Sequence, residues 1–491
     1  MDAGNAGQGL GARMAEIARQ AWPVLIASWA GVAFGVIDTT MGGHAGAMDL
    51  QIMALAISIY VTVFVGLMGI VHALIPILAQ HYGAGREREV GRMWGQGIWL
   101  AIGLCVAGSF FLLIPDVWLS ISGNIEPQVR EGVRHYLRAL VLALPAALMF
   151  RSIYALATAV SRPRTVMVIN IAGIFFKLFF NWLFMFGNLG LPAMGAAGAG
   201  LSTAVVSWLM LAAGLWTVLR NPWYHRFRPR LNRPNWRDQA ELLRLGIPMG
   251  GSYLIEVAAF TFMALLAARD GVFVTGAHQI MANLAALCYM VPMALGIATA
   301  SLTAQAIGAR RPRLARLNGR AGIILVLCAA LLTVSAIIAG RGAILRLYTD
   351  DPQVAAVAAV LLTLLPIFHL GDALQCIGCY LLRAYKIAVV PLVMQIIALT
   401  GVGLLGGWWL GFGPASGALS GPILHVMPDA PVGTATLWLM STVGLMLSAM
   451  LLFFWYGRVV RGHERALGGE QGPPVPLRPT PAASRNRRPR A

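Results

Sequence analysis

Charge is what this chain lacks. Only 11% of its 491 residues are Asp, Glu, Lys or Arg, where a soluble chain carries about a quarter. Lysine occurs twice, at Lys177 and Lys386, and acids number 19. A surface so poor in charge must face something apolar, which excludes an ordinary soluble protein. It also removes the usual meaning of a net charge of +18, which in a soluble chain would suggest nucleic acid. Cysteine is scarce as well. The five cysteines include one C-x-x-C, Cys376 and Cys379, set in an apolar run with no second pair. A zinc or redox site needs partners that are missing, so both are expected to be small packing residues. Metal-spaced His/Asp clusters, a nucleophile with an adjacent base and a phosphate-cradling loop are absent too, so no enzyme is expected.

What is present is apolar length. Hydrophobic residues make up 58% and mean hydropathy is +0.72. About twelve stretches are long enough to cross a ~30 Å hydrocarbon core as helices: 20–42, 52–82, 93–115, 135–160, 165–187, 195–219, 240–268, 276–308, 318–340, 353–384, 388–411 and 434–457. The first is longer than a secretory h-region and contains Pro23 and Asp38, so it is expected to be retained. The fold class is an all-α polytopic membrane protein.

The bases fall in alternate loops. Arg86, Arg88 and Arg92 follow span 2, Arg162 and Arg164 follow span 4, "RNPWYHRFRPRLNRPNWR" follows span 6, "GARRPRLARLNGR" follows span 8, and Arg383 and Lys386 follow span 10. Three intervening loops have no Lys or Arg. Arg130 and Arg134, partly offset by Glu126 and Glu131, are the exception. The positive-inside rule then puts both termini in the cytoplasm, with an even number of spans.

The chain also repeats itself. "AWPVL" at 21–25 resembles "GIPMG" at 246–250, and "LAQHYGAGR" at 78–86 resembles "TAQAIGARR" at 303–311. "QIMA" at 51–54 recurs at 279–282, and Pro145 and Arg162 correspond to Pro366 and Arg383. The expected organisation is a six-helix half over 1–219, a basic cytoplasmic linker over 220–237, a second half over 238–460 and a disordered basic tail over 461–491. With an even number of spans in each half, the halves should be related by an axis along the membrane normal, a plan used by secondary transporters.

Against this background a few polar residues stand out. An acid at a helix centre costs about 2.5–3.5 kcal/mol on insertion scales, so it needs a partner or a task. Asp38 shares a helix face with Gly31, Gly35 and Gly42, which points it at a neighbouring helix or cavity; the alternative is a wetted acid near the helix end. Glu256 lies mid-span 7, about nine residues past Pro248. Asp372 lies mid-span 10, with His369 and Gln375 three residues to either side, and the three should form a polar pocket. Two ionised carboxylates in one half repel, and a proton or sodium ion relieves that repulsion, so Glu256 and Asp372 are the expected coupling site and the possible sodium ligands. Lys177 sits near the centre of span 5, about 15 Å from either interface, beyond the reach of snorkelling. It shares a face with Asn170 and Asn181. Asp38 is the acceptor available to it, although a neutral or cavity-hydrated lysine would also satisfy the pattern.

At these residues the sequence resembles the multidrug and toxic compound extrusion family, in its bacterial NorM-type branch. The stretches that carry the likeness include "GVIDTTMGG", "LAQHYGAGR", "LGIPMGGSYLIEVAAF", "GAHQIMANLAALCYMVPMALG" and "GDALQCIGCYLLRAYK", spread over roughly residues 15–460. The resemblance implies twelve helices in two pseudo-symmetric bundles forming a V around a central cavity. It implies export of cationic, often aromatic compounds in exchange for protons or sodium, with no cofactor beyond the coupling ion, and a monomer is expected. It matches Asp38, Glu256 and Asp372 to the family's intramembrane acids, Pro23 to a proline whose bending is tied to protonation, and Gln279 and Asn283 to a polar pair in helix 8. One departure matters. Helix 5 of the family usually reads N-x-x-x-N or N-x-x-x-D, whereas here Lys177 precedes Asn181. A fixed ammonium would take the coupling ion's place beside Asp38, so coupling is expected to run mainly through Glu256 and Asp372. The rival function is a flippase for a lipid-linked oligosaccharide, which would want a basic cavity such as Lys177 and Arg151 could supply.

Overall fold

In the computed structural model, residues 9–119 and 126–468 are described. Among them there is no strand, and twelve helices are long and apolar enough to cross a bilayer. In chain order these are Leu10–Ala45 (α1), Ala47–Gly83 (α2), Glu87–Leu113 (α3), Pro127–Ala159 (α4), Arg164–Phe186 (α5), Gly195–Arg220 (α6), Trp236–Asp270 (α7), Val272–Gly308 (α8), Pro312–Tyr348 (α9), Leu365–Ala384 (α10), Val389–Gly411 (α11) and Val432–Gly468 (α12). They form two six-helix bundles, α1–α6 and α7–α12, arranged as a V. The exposed faces carry Phe110, Phe175, Trp216, Leu332 and Phe454, as a lipid-facing surface requires.

Prolines explain where the helices depart from the expected spans. Span 2 turns at His72 and Ala73 before resuming at Leu74. The ring of Pro76 would collide with the carbonyl four residues back, at His72. Span 10, expected as one run over 353–384, is a short helix Pro352–Leu361, a turn, and then α10. Here Pro366 acts on Leu362 in the same way. Pro23 and Pro145, by contrast, sit inside unbroken helices. α11 opens into wider i→i+5 turns over Ile396–Leu405. Facing it, α12 presents Gly444, where an added Cβ would lie 2.5 Å from the Ala398 carbonyl. α12 itself continues to Gly468, into the stretch expected to be a tail. Arg316 pairs with Glu464 at 3.3 Å, and Arg465 in the last turn suits the helix dipole. The remainder of that tail, 469–491, lies outside the described residues.

The segment after α6 is bound to α3 along its length. Trp99 donates from Nε1 to the Asn232 carbonyl at 2.7 Å, Gln96 from Nε2 to the Arg233 carbonyl at 3.0 Å, and Arg226 pairs with Glu87 at 2.5 Å. Arg162 lies 3.9 Å from the Trp223 ring centre. Asn235 caps α7 by accepting from the Arg237 amide. Arg134, the base on the less basic side, is neutralised by Asp116 at 2.8 Å and Glu131 at 3.2 Å.

The halves meet at the end of the V that carries the arginine-rich loops. The contact is reciprocal: a Cβ on Gly83 would run into the Gln305 carbonyl, and one on Gly308 into the Gln80 carbonyl. These residues are the matching positions of the two repeats, so the two-fold relation seen in sequence is also a contact in space. Backbone carbonyls on each side are satisfied by the other half. Gln80 donates to the Ala384 carbonyl at 2.8 Å, Ser301 to Thr158 at 2.9 Å and Gln305 to Ala159 at 2.7 Å. Higher up, Gly250 lies against the Gly66 carbonyl, joining α7 to α2.

Candidate functional site

In the first half, α1, α5 and α6 bring four polar side chains together. Lys177 Nζ lies 2.8 Å from Asp38 Oδ1, and Asn181 donates from Nδ2 to the same oxygen at 2.7 Å. Lys177 also donates to the Thr203 hydroxyl at 2.6 Å and the Ala199 carbonyl at 3.2 Å. Lys177 is 1% exposed and Asp38 6%, so the ammonium is held in dry surroundings by three acceptors. Such a pair survives burial only when the remaining protons are also satisfied, and Thr203 and Ala199 do this. Asn170 shares the face but not the network, because its amide donates to the Val166 carbonyl of its own helix. Gly31 and Gly35 have open space where a Cβ would stand. They line a cavity of about 260 Å³ with Asp38, Phe34, Tyr60, Phe64 and Arg151.

The second half is built differently. Gln395 of α11 donates from Nε2 to Glu256 Oε1 at 3.0 Å, and Tyr289 of α8 approaches Glu256 Oε2 at 3.4 Å. Gln375 of α10 and Asp372 both lie near Glu256, and the Gln375 amide donates from Nε2 to Cys379 Sγ at 3.6 Å. Asp372 itself has no hydrogen-bond or ion-pair partner among the described residues, and no base pairs with either acid. Both are half-buried. Gln395 Oε1 is buried without a donor. Two carboxylates, a free amide oxygen and a phenol oxygen are hard donors of the type that a small cation takes.

Three other residues singled out in the sequence, His369, Gln279 and Asn283, make no bond to either acid among the described residues. His369 is buried, but neither ring nitrogen has a partner. At three residues before and after Asp372, His369 and Gln375 leave the helix on opposite flanks, and only Gln375 turns toward α7. Gln279 and Asn283 are exposed and bond to each other at 3.4 Å; Tyr289 is the α8 side chain that reaches Glu256.

Other polar residues here escaped the sequence reading. Gln395 in "PLVMQIIALT" was a visible signal, a lone amide in an apolar run. Arg383 was taken for a loop base, but it is 4% exposed. Its guanidinium lies 5.0 Å from the ring centres of both Tyr253 and Tyr380, whose hydroxyls are 2.9 Å apart. This cluster lies where α7 and α10 approach His72 and Pro76 of α2, around a void of about 20 Å³ that it helps to line.

Comparison with known proteins agrees with this architecture. The MatE family model matches twice, over residues 23–183 and 248–409, one match in each half. A probable multidrug resistance protein NorM of Aromatoleum aromaticum is 37% identical over 442 residues, covering 90% of this chain and 93% of the relative. The crystal structure of the eukaryotic MATE transporter AtDTX14 superposes with a TM-score of 0.81 at 19% identity, over 93% of this chain and 99% of that one. The Vibrio cholerae MATE transporter VcmN in the bent form gives a TM-score of 0.80 at 16% identity, over 93% and 99%. With two family matches in tandem on two bundles and a relative of this identity along almost its whole length, the chain belongs to the MatE family of membrane transporters, in the NorM branch.

Proposed function

We propose that the protein is a multidrug exporter of the cell inner membrane that expels organic cations in exchange for protons or sodium, with Glu256 and Asp372 as the coupling site. The observation that carries this reading is the pair of half-buried carboxylates in the second half, with no base paired to either. In the first half the acid is already occupied, because Lys177 holds the position a coupling ion would need beside Asp38. The names of the NorM relatives support multidrug export.

The arginine-rich end of the V is the cytoplasmic one by the positive-inside rule, so both termini are cytoplasmic and the form described here is closed to the cytoplasm. An ion arriving from outside is held by Glu256, Asp372 and the Gln395 amide oxygen. An organic cation is attracted by the same carboxylates once they are free of that ion. Competition for one charge site links the two fluxes, and alternation between forms carries each across. Pro23, whose missing amide loosens α1, and Gly83 with Gly308, at the contact between halves, are the places where the forms would interconvert.

The test is efflux of a fluorescent organic cation from inverted vesicles, with sodium and pH gradients imposed separately. Export driven by one of them and lost in Glu256→Gln supports the reading. Transfer of a lipid-linked sugar without cation export would instead support a flippase.

A further inference from the structure

The arginine-rich end of the V carries an open cleft of about 720 Å³ between the first turn of α3 and the segment that follows α6. Arg86 and Arg88 stand on one wall and Arg226 and Arg228 on the other, with Glu87 and Glu89 as the acids. Each acid is already matched. Arg226 pairs with Glu87 at 2.5 Å and ties the two walls together, and Arg92 of α3 pairs with Glu89 at 2.8 Å. Arg86, Arg88 and Arg228 are left over. All three are exposed, and among the described residues their side chains make no ion pair and no hydrogen bond. Arg228 also stands at φ 47°, in the left-handed region that an L side chain seldom adopts. Strain of that kind gathers at ligand sites, and here the strained residue is one of the three unpaired bases. Like charges around one cleft repel one another and focus a positive potential there.

We propose that this cleft binds a phosphate group through Arg86, Arg88 and Arg228, and that its position favours the phosphodiester of an anionic lipid headgroup over soluble phosphate. The proposal goes beyond the export reading and does not depend on it. A guanidinium offers a planar fork of donors that fits phosphate oxygens, and one phosphate accepts from more than one such fork. Depth points to the lipid. Glu87 opens α3 six residues before Met93, where the apolar span begins. That is about 9 Å of helix, close to the thickness of a headgroup layer, about 5–8 Å. His225, also in the lining, donates from Nε2 to the Leu219 carbonyl at 2.8 Å. Leu219 and Trp216 of α6 are exposed apolar residues, and Arg220 stacks on the Trp216 ring at 5.0 Å. A tryptophan beside an arginine at a helix end marks the membrane interface, so the cleft borders the lipid-facing surface at headgroup level. Basic pockets on the cytoplasmic side suit anionic headgroups.

The test measures retention of acyl-labelled phosphatidylglycerol by the purified full-length protein in a neutral detergent. Phosphatidylcholine with the same label is the comparison, and pyrophosphate is the soluble probe. Saturable binding of phosphatidylglycerol, and not of phosphatidylcholine, is expected. Arg86→Gln, Arg88→Gln and Arg228→Gln should each weaken it about fivefold, the effect of one basic residue at an anionic surface, and the triple variant on the order of 100-fold. A control triple of Arg237→Gln, Arg244→Gln and Arg313→Gln removes as much charge from exposed positions outside the cleft and should leave binding nearly unchanged. Equal loss in the control triple would reduce the effect to diffuse charge and overturn the proposal. So would binding of neither probe, or unchanged binding in a cleft triple that still unfolds cooperatively. Saturable pyrophosphate binding that the cleft triple loses, with no phosphatidylglycerol retained, would support the phosphate site and overturn the lipid as its source. If the cleft triple does not fold, its three single variants decide, compared with Arg313→Gln.

Discussion

Lys177 and Asp38 meet across α5 and α1 at 2.8 Å, and both are shut away from solvent. Removing one partner strands the other charge, which costs about 3–5 kcal/mol, whereas removing both often costs little. Asp38→Asn and Lys177→Met should therefore each lower the unfolding midpoint of the purified protein, and the double variant should recover most of the loss. A double variant no more stable than either single one would show that the pair does not bear on stability.

The same pair predicts which acid matters for coupling. Asp38→Asn, compared per folded molecule, should retain ion-driven export. Glu256→Gln and Asp372→Asn should each reduce it by about 5- to 150-fold, the range of a typical coupling free energy. Gradient-driven efflux in inverted vesicles measures this. Loss of export in Asp38→Asn with export intact in Glu256→Gln would reverse the assignment.

Gly83 and Gly308 permit the backbones to touch where the halves meet. Adding a methyl group there forces a shift costing about 1–3 kcal/mol, and only in the form closed at this end. Gly308→Ala should thus move the equilibrium toward the other form by about 5- to 150-fold. In a background without the native cysteines, Ser301→Cys reports it: its labelling by a membrane-impermeant thiol reagent applied to the arginine-rich side should accelerate when Gly308→Ala is added. Unchanged labelling would mean that the contact adapts.

Arg383 is buried between Tyr253 and Tyr380, and its Nη1 donates to the Tyr253 hydroxyl at 3.3 Å. Arg383→Gln removes the charge and both aromatic contacts and should destabilise the protein by about 2 kcal/mol or more. Tyr380→Phe removes only a hydroxyl pairing, worth about 1 kcal/mol. Unfolding midpoints of the two variants should fall in that order; equal midpoints would place Arg383 in a wetted site.

Much of the fold was legible because its signals are local. Apolar length marked the spans, and the recurrence of "LAQHYGAGR" as "TAQAIGARR" marked the duplication. Pro76 and Pro366 turned the chain where span length alone suggested continuity, since a twenty-residue apolar run is too coarse to show a turn inside it. The site was legible in part. Each acid in an apolar run drew attention to itself, but its company did not. Helical spacing put His369 and Gln375 on either side of Asp372 without telling which flank faces α7.

Chemistry repeated along the chain thus determined the membrane class, the twelve crossings, the two-half plan and the identity of the intramembrane acids, because hydropathy and charge are properties of a short window. Pairing was decided only in three dimensions. Asp38 takes its amide from a residue 143 positions away and Glu256 from one 139 away, and the bundle geometry, not any local spacing, chooses which of several polar residues arrives. The same geometry set Arg151 on a cavity whose lining acid, Asp38, is held by Lys177.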